Sequence, residues 1–254
     1  MFPFPVVPPV GVSLDMAGSI VFNGSDEYLR IGSFSSSSPD QKTFTISFWA
    51  KKDNTSSFEV WFDMRNGGSS RFQIFYDDVD DQLALVSYNG STFDISYGKT
   101  NEVVDTQWQH WVYAVDTTQA TEADRVKQYL DGVEIVPAGG TSDLPSQNTD
   151  LDIFNNGDSV RIGDTNSESD LKYDGRLADF IVVEGQALSP SNFGYDNSGT
   201  WSWKNYTGSY GSHGFRINPQ NSGEIGDDQS GNGYDFTLNN MGSSNFDSSD
   251  KPPV

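Results

Sequence analysis

The chain has 254 residues, 36 of them acidic and 15 basic, for a formal charge of -21, and it contains no cysteine. A charge of that sign and size repels nucleic-acid phosphate and anionic lipid surfaces, and the absence of thiols excludes disulfide staples and thiolate metal sites. No apolar run nears the roughly 18 residues that span a bilayer, and the start Met1-Phe2-Pro3-Phe4-Pro5 lacks the basic residues of a signal peptide. Neither nucleic acid nor membrane insertion is expected.

Residues 1–14, MFPFPVVPPVGVSL, contain four prolines. Proline fixes φ and withholds an amide donor, so this segment is predicted to run extended as an arm. Its apolar residues Phe2, Phe4, Val6, Val7 and Val10 would be sticky in water. Docking into a partner and packing on the chain's own surface are the two readings.

From Ser19 the pattern changes to short β-rich runs cut by Gly, Asn, Asp and Ser, the spacing of an antiparallel sandwich or barrel. In SIVFNGSDEYLRI, Asn23-Gly24 suits a tight hairpin turn. TFTISFWAKK alternates Phe44, Ile46 and Phe48 with Thr43, Thr45 and Ser47, which predicts a half-buried strand with Trp49 on the second face. Further strands are predicted at EVWFDMR, RFQIFYD, QLALVSYNG, TFDISYG, QWQHWVYAVD, VKQYLDGVEIV, SVRIGD and RLADFIVVEG. Asp131-Gly132 between alternating runs predicts a type I′ hairpin. ALSPSNFG predicts one helical turn with Ser189 as N-cap and Pro190 next. Residues 196–214 look like an ordered connection, and the polar end after IGDDQSGNGYDFTLNNM is expected to be loose. No heptad or other regular repeat encodes a fibre shaft.

SIVFNGSDEYLRI, TFTISFWAKK, QWQHWVYAVDTT, VKQYLDGVEI and DGRLADFIVVEGQALSPSNFG, in that order, resemble the landmarks of laminin-G-like domains of the concanavalin A-like lectin/glucanase superfamily. DTTQATEADRVKQYLDG, VEGQALSPSNFG, WKNYTGSYGSHGFRI and IGDDQSGNGYDFTLNN resemble, more narrowly, virion-associated proteins of tailed bacteriophages, many of them marine. The resemblance implies an all-β, antiparallel two-sheet jelly-roll sandwich over residues 15–195. To this it adds the extended N-terminal arm and a C-terminal extension, residues 196–254, that packs on the sandwich and adds an edge strand. One departure from the wider family is that Ser230-Gly231-Asn232-Gly233 and DFTLNN stand at the C-terminus instead of before the opening strand. The tail is therefore expected to lay Phe236 and Leu238 beside Ile20 and Phe22, as in a circular permutation.

The superfamily includes glucanases, which cleave with paired carboxylates. Their Glu-x-Asp-x-x-Glu pattern is absent, and Glu59 and Asp63, two positions either side of Trp61, read as solvated strand residues on one face. His110 and His213 are the only histidines and have no nucleophile or thiol pattern around them, so no enzyme activity is expected.

For Ca²⁺ the strongest cluster is Asp227, Asp228, Asn232 and Asp235; Asp77, Asp78, Asp80 and Asp81 form a second concentration without EF-hand spacing. The competing reading of each is a solvated turn, and no other cofactor is implied. Trp201, Trp203, Tyr206 and Tyr210, in a Gly-rich polar stretch, are candidates to stack on sugars, with packing over the sandwich as the competing role. The resemblance implies a virion structural protein on the particle surface, a head decoration or short spike, held by the arm to capsid or tail proteins and aiding host attachment. The alternative is a glycan- or receptor-binding adhesin module of a tail fibre. A homotrimer would suit a spike, and host surface glycans are the external partner.

Overall fold

The computed structural model describes residues 15–53, 57–65, 68–137, 142–165 and 171–254. The arm residues Phe2, Phe4, Val6, Val7 and Val10 lie outside the described residues. The strands are β1 (Ser19–Asn23), β2 (Tyr28–Ile31), β3 (Thr43–Lys52), β4 (Glu59–Arg65), β5 (Arg71–Asp77) and β6 (Gln82–Tyr88). They continue as β7 (Phe93–Tyr97), β8 (Gln109–Asp116), β9 (Val126–Leu130), β10 (Val133–Ile135), β11 (Ser142–Asp143) and β12 (Ser159–Ile162). The remainder are β13 (Asp174–Glu184), β14 (Gly194–Asn197), β15 (Thr200–Trp203), β16 (Phe215–Ile217), β17 (Thr237–Asn239) and β18 (Phe246–Asp247).

These build the expected antiparallel sandwich. One sheet runs β10-β9-β8-β3-β13-β1-β18 with β16 also on β13, the other runs β11-β7-β6-β5-β4-β12-β2-β17, and β14 with β15 forms a separate hairpin. Alternation decides which side chains meet between the sheets. Phe44, Ile46 and Phe48 of β3, Trp111 and Tyr113 of β8 and Phe180 and Val182 of β13 face Phe62, Met64, Phe72, Ile74 and Leu85 of the second sheet in one core. Phe48 stacks on Phe180 at 5.1 Å between ring centroids. Each large apolar side chain so enclosed contributes about 1.5–3 kcal/mol.

The Asp131-Gly132 hairpin forms as read: Leu130 pairs with Val133, and both turn residues take positive φ, 47° and 82°. The turn at Ser189 forms too, as a 3-10 turn over Pro190–Asn192, but the Ser189 hydroxyl makes no capping bond to its backbone and meets Ser191 Oγ at 2.9 Å instead. Asn23-Gly24, in contrast, is a corner and not a hairpin. β1 and β2 belong to different sheets, and the Asn23 side chain accepts from the Ser25 and Asp26 amides to turn the chain between them.

The tail edges both sheets. β17 lies on β2, with Leu238 opposite Leu29, while the strand beside β1 is β18, with Phe246 opposite Ile20. DFTLNN thus edges the opposite sheet and not β1, so the expected pairing with Ile20 and Phe22 is not made, because the corner at Asn23 sends β2 to that other sheet. The final residues, expected to be loose, are tied down: the Trp203 amide donates to the Pro253 carbonyl, and Asp250 pairs with Lys51 at 2.7 Å and Arg176 at 3.2 Å.

Between the sandwich and that end, the chain lays a further layer over the outer face of the first sheet. Thr45, Ser47 and Trp49, the alternates of β3, are buried beneath it. Val112, Ile181 and Val183 pack there with Phe193 and Tyr206, and Trp49 and Ala178 with Met16, Trp108, Trp201 and Trp203.

Candidate functional site

Residues 196–214, read as a connection, contain most of the β14–β15 hairpin. Ser198 and Gly199 at its tip both take positive φ, 56° and 92°, the geometry of a two-residue type I′ turn. This tip and the Asp131-Gly132 tip stand on either side of a groove of about 570 Å³. Trp108, Trp201, Val133 and Pro253 give it apolar walls, and Asp131, Asp196 and Thr200 give it oxygen atoms.

Trp201 sits where it does because glycine leaves it room. A Cβ on Gly132 or on Gly194 would come within 2.5 Å of the indole. The indole N–H donates to His110 Nδ1 at 2.9 Å. Indole nitrogen only donates, so Nδ1 is the acceptor and the proton resides on Nε2, which donates to Ser47 Oγ at 2.9 Å. His110 is 1% exposed and stacks on Trp49, and burial pushes its pKa down to about 3. It is a neutral prop under Trp201. Trp108 is fixed in turn by its N–H to Asp250 Oδ1, 2.8 Å.

Both groove carboxylates accept from backbone amides: Asp131 Oδ1 from His110 of β8 at 2.8 Å, which ties the hairpin tip to that strand, and Asp196 Oδ1 from Gly199 of its own turn at 2.7 Å. Burial raises the pKa of Asp131 above its ordinary value, and the His110 amide opposes that rise.

Of the four aromatic candidates, Trp201 enters this groove and the others serve packing. Trp203 Nε1 donates to Asp179 Oδ2 at 2.6 Å. Tyr206, 5% exposed, packs on Phe193 and donates to the Ser209 carbonyl, bordering a smaller polar hollow of about 250 Å³ beside Gln186 and Lys204. The Tyr210 hydroxyl accepts from Arg216 Nη1 at 3.3 Å. Arg216 also donates to Asp179 Oδ1 at 2.6 Å, an ion pair only 2% exposed on each side, and Asp179 occupies the bulge of β13 at φ 47°. The bulge turns the carboxylate outward to meet the extension.

The Asp227, Asp228, Asn232 and Asp235 group is a braced loop. Asp228 accepts from the amides of Arg216, Ser230 and Tyr234 and from the Ser230 hydroxyl, and Asp235 accepts the Asp228 amide. The Asn232 side chain presents its NH₂, not its oxygen, to the Gly211 and Gly214 carbonyls. Asp227 is raised in pKa by burial and by Asp235 and Glu224. Asp77 and Asp81 likewise brace the β5–β6 turn, with Asp78 and Asp80 beside them: Asp77 accepts the Val79 amide and Asp81 the Tyr76 hydroxyl. Among the described residues no cluster of three or more His, Cys, Asp or Glu is arranged to hold a metal ion.

Glu59 and Asp63 are not solvated: both are 0% exposed. A bulge between Val60 and Phe62 puts Trp61 and Phe62 together in the core and breaks the alternation that would have kept the two carboxylates on one face. Glu59 is paired with Lys52 at 2.7 Å, with Trp61 Nε1 also donating to it, and burial raises its pKa to about 7. The Asp63 carboxylate accepts from Arg65 at 2.9 Å. His213, 5% exposed, bridges Glu184 Oε1 at 2.7 Å and the Ser37 amide, a packing and pairing role.

Sequence reasoning missed Trp108, Asp131, Asp196 and Thr200 as groove residues. The Ser198-Gly199 dipeptide between two β-prone runs was a legible signal for the second hairpin; what it packs against was not.

A family profile described as the Concanavalin A-like lectin/glucanases superfamily matches residues 23–193. A search of curated proteins finds no match. Among solved structures, one of NanB plus Optactamide is 17% identical with a TM-score of 0.51, covering 79% of this chain and 30% of that one. A mutant of NanB sialidase from Streptococcus pneumoniae is 16% identical with a TM-score of 0.49 and the same coverages, 79% and 30%. The native heptameric SAP-like pentraxin from Limulus polyphemus is 17% identical, with a TM-score of 0.48 and coverages of 70% and 80%. Likeness at these identities concerns the fold alone.

Proposed function

The chain belongs to the Concanavalin A-like lectin/glucanases superfamily, and from that premise we propose that it is a non-enzymatic module displayed on a bacteriophage particle, where it contacts glycan on the host surface. The observation that carries the glycan part is the groove between the two hairpin tips, with its tryptophan walls and acceptor oxygens. Rigid aromatic rings offer flat apolar faces to the C–H side of a sugar, and carboxylates accept from its hydroxyls. The wall ring Trp201 is held by a buried, hydrogen-bonded partner, so the surface is formed before a ligand arrives.

Display on the particle is supported by the resemblance of the C-terminal segments to virion-associated proteins; the arm, residues 1–14, would then dock on capsid or tail proteins. Binding instead of cleavage is favoured because Asp131 and Asp196 each anchor a turn and Glu59 is sealed in the core against Lys52.

A glycan array probed with the wild-type chain and Trp201→Ala tests the glycan part: binding that the substitution abolishes is expected, and binding unchanged in the variant would move the site elsewhere. Release of reducing ends from host polysaccharide by the purified chain would overturn the non-enzymatic part. Electron microscopy of labelled particles tests display, with the chain expected on the head or a short spike.

A further inference from the structure

We infer that the groove between the hairpin tips selects neutral saccharides and rejects sialic and uronic acids; this rests on the glycan reading above and sharpens its substrate class. An acidic sugar needs cations or free N–H donors for its carboxylate. Among the described residues that line the groove, no side chain has either to spare. None of its lining residues is basic. Both indole N–H groups that could have turned toward a ligand are committed, Trp108 to Asp250 and Trp201 to His110. Lys51 and Arg176 are paired with Asp250, which is also the acceptor of the Trp108 N–H, and Lys251, exposed and two residues before Pro253, is not among the lining residues.

The polar side chains left in the lining are Asp131, Asp196 and Thr200. Carboxylates accept only, which matches a ring of donating hydroxyls and repels a second carboxylate. The chain's charge of -21 adds to that repulsion over the whole surface. The family match ends at residue 193, so Asp196, Thr200, Trp201 and Pro253 belong to this chain's own extension.

The test measures dissociation constants for neutral and acidic glycans in pairs: galactotriose against trigalacturonate, which differ in carrying CH₂OH or carboxylate at C6, and lactose against 3′-sialyllactose, which adds one acidic residue, together with the tightest neutral and acidic members of an array. The neutral member of a bound pair is expected to bind about tenfold more tightly at low salt. Asp131→Asn with Asp196→Asn keeps an acceptor oxygen in both turns, and Asn tolerates the positive φ at 131, so the fold should persist. In that variant the gap should narrow to about twofold or less.

Equal or tighter binding of the acidic members by the wild type would overturn the inference while leaving a glycan groove in place, and so would a gap that the double variant leaves unchanged. Silence across the array would remove the glycan reading and this inference with it.

Discussion

The two faces of the first sheet are both buried, yet by different chemistry. Its inner face meets the second sheet through phenylalanines, leucines and isoleucines, with rings such as Phe48, Phe62 and Phe180 in contact at 5.1–5.4 Å. Its outer face meets the C-terminal extension through the apolar groups around Phe193 and Trp49, and in addition through Ser47, His110, Asp179, Glu184, His213 and Arg216, each buried and each with a named partner. Apolar burial is non-directional and tolerates sliding; a bulge carboxylate bonded to one guanidinium does not. The outer layer therefore adds fixed position to apolar burial, and the groove described above is built on that layer.

The sharpest break would come from the inner face. Phe48→Ala should cost about 4 kcal/mol, read as an earlier midpoint in denaturant, since it leaves a cavity between Trp61 and Phe180. In the outer layer, Arg216→Ala should cost about 3 kcal/mol by leaving the buried Asp179 carboxylate without its cation and with the Trp203 N–H as its remaining side-chain donor. Hydrogen exchange should then rise over residues 194–217 and not over β3 or β8; a uniform rise would mean the layers form one cooperative unit.

Acid should act with opposite sign on two buried groups, His110 beneath the outer layer and Asp158 in the turn before β12. His110 has a folded pKa near 3 against an unfolded 6.5, so the folded state binds fewer protons in between. Its contribution is present above pH 6.5 and falls by about 2 kcal/mol as the pH drops to 5. Asp158, raised to about 7 by burial and by Asp152, binds more protons when folded, so its penalty grows as the pH rises from 5 to 7, by about 2 kcal/mol. Thermal melts of His110→Gln and Asp158→Asn across that range should differ from wild type with opposite slopes. Parallel slopes would sink the contrast.

The smallest effect is a matched pair of glycines. Gly132→Ala and Gly199→Ala both force alanine into positive φ, at about 1 kcal/mol each, but only the first drives a Cβ into Trp201. Gly132→Ala should cost about 2 kcal/mol and weaken the proposed glycan binding, and Gly199→Ala should leave that binding nearly intact.

The inner layer was legible because a period of two in Phe44, Ile46 and Phe48 needs no knowledge of the partner sheet. Asp131-Gly132 was legible for a similar reason, since a type I′ tip depends on two residues alone. What escaped were features set at long range. The bulge at Trp61 hid that Glu59 and Asp63 are buried on different faces, and nothing local in SIVFNG says that the chain changes sheets after Asn23. The groove depended on the same kind of information: Trp201 was singled out as an aromatic, but Trp108 joins it only because the last residues come back to hold its indole. Trp203, in the same short run, has its N–H drawn inward by a carboxylate at a bulge that the sequence does not announce.

The two edge strands of the tail also order events in time. Ser19 Oγ bonds to the Asp250 carbonyl across 231 residues of chain, and β18 covers β1 over the same span. On a ribosome, β1 emerges well before β18 and must wait with one edge bare until that strand has been made, as must β2 for β17. Such non-local closure is slow, and bare strand edges are templates for pairing between chains. A nascent or truncated chain lacking the last dozen or so residues would be the aggregation-prone species, so recovery of soluble protein should depend on whether the tail has arrived more than on how well the core is packed.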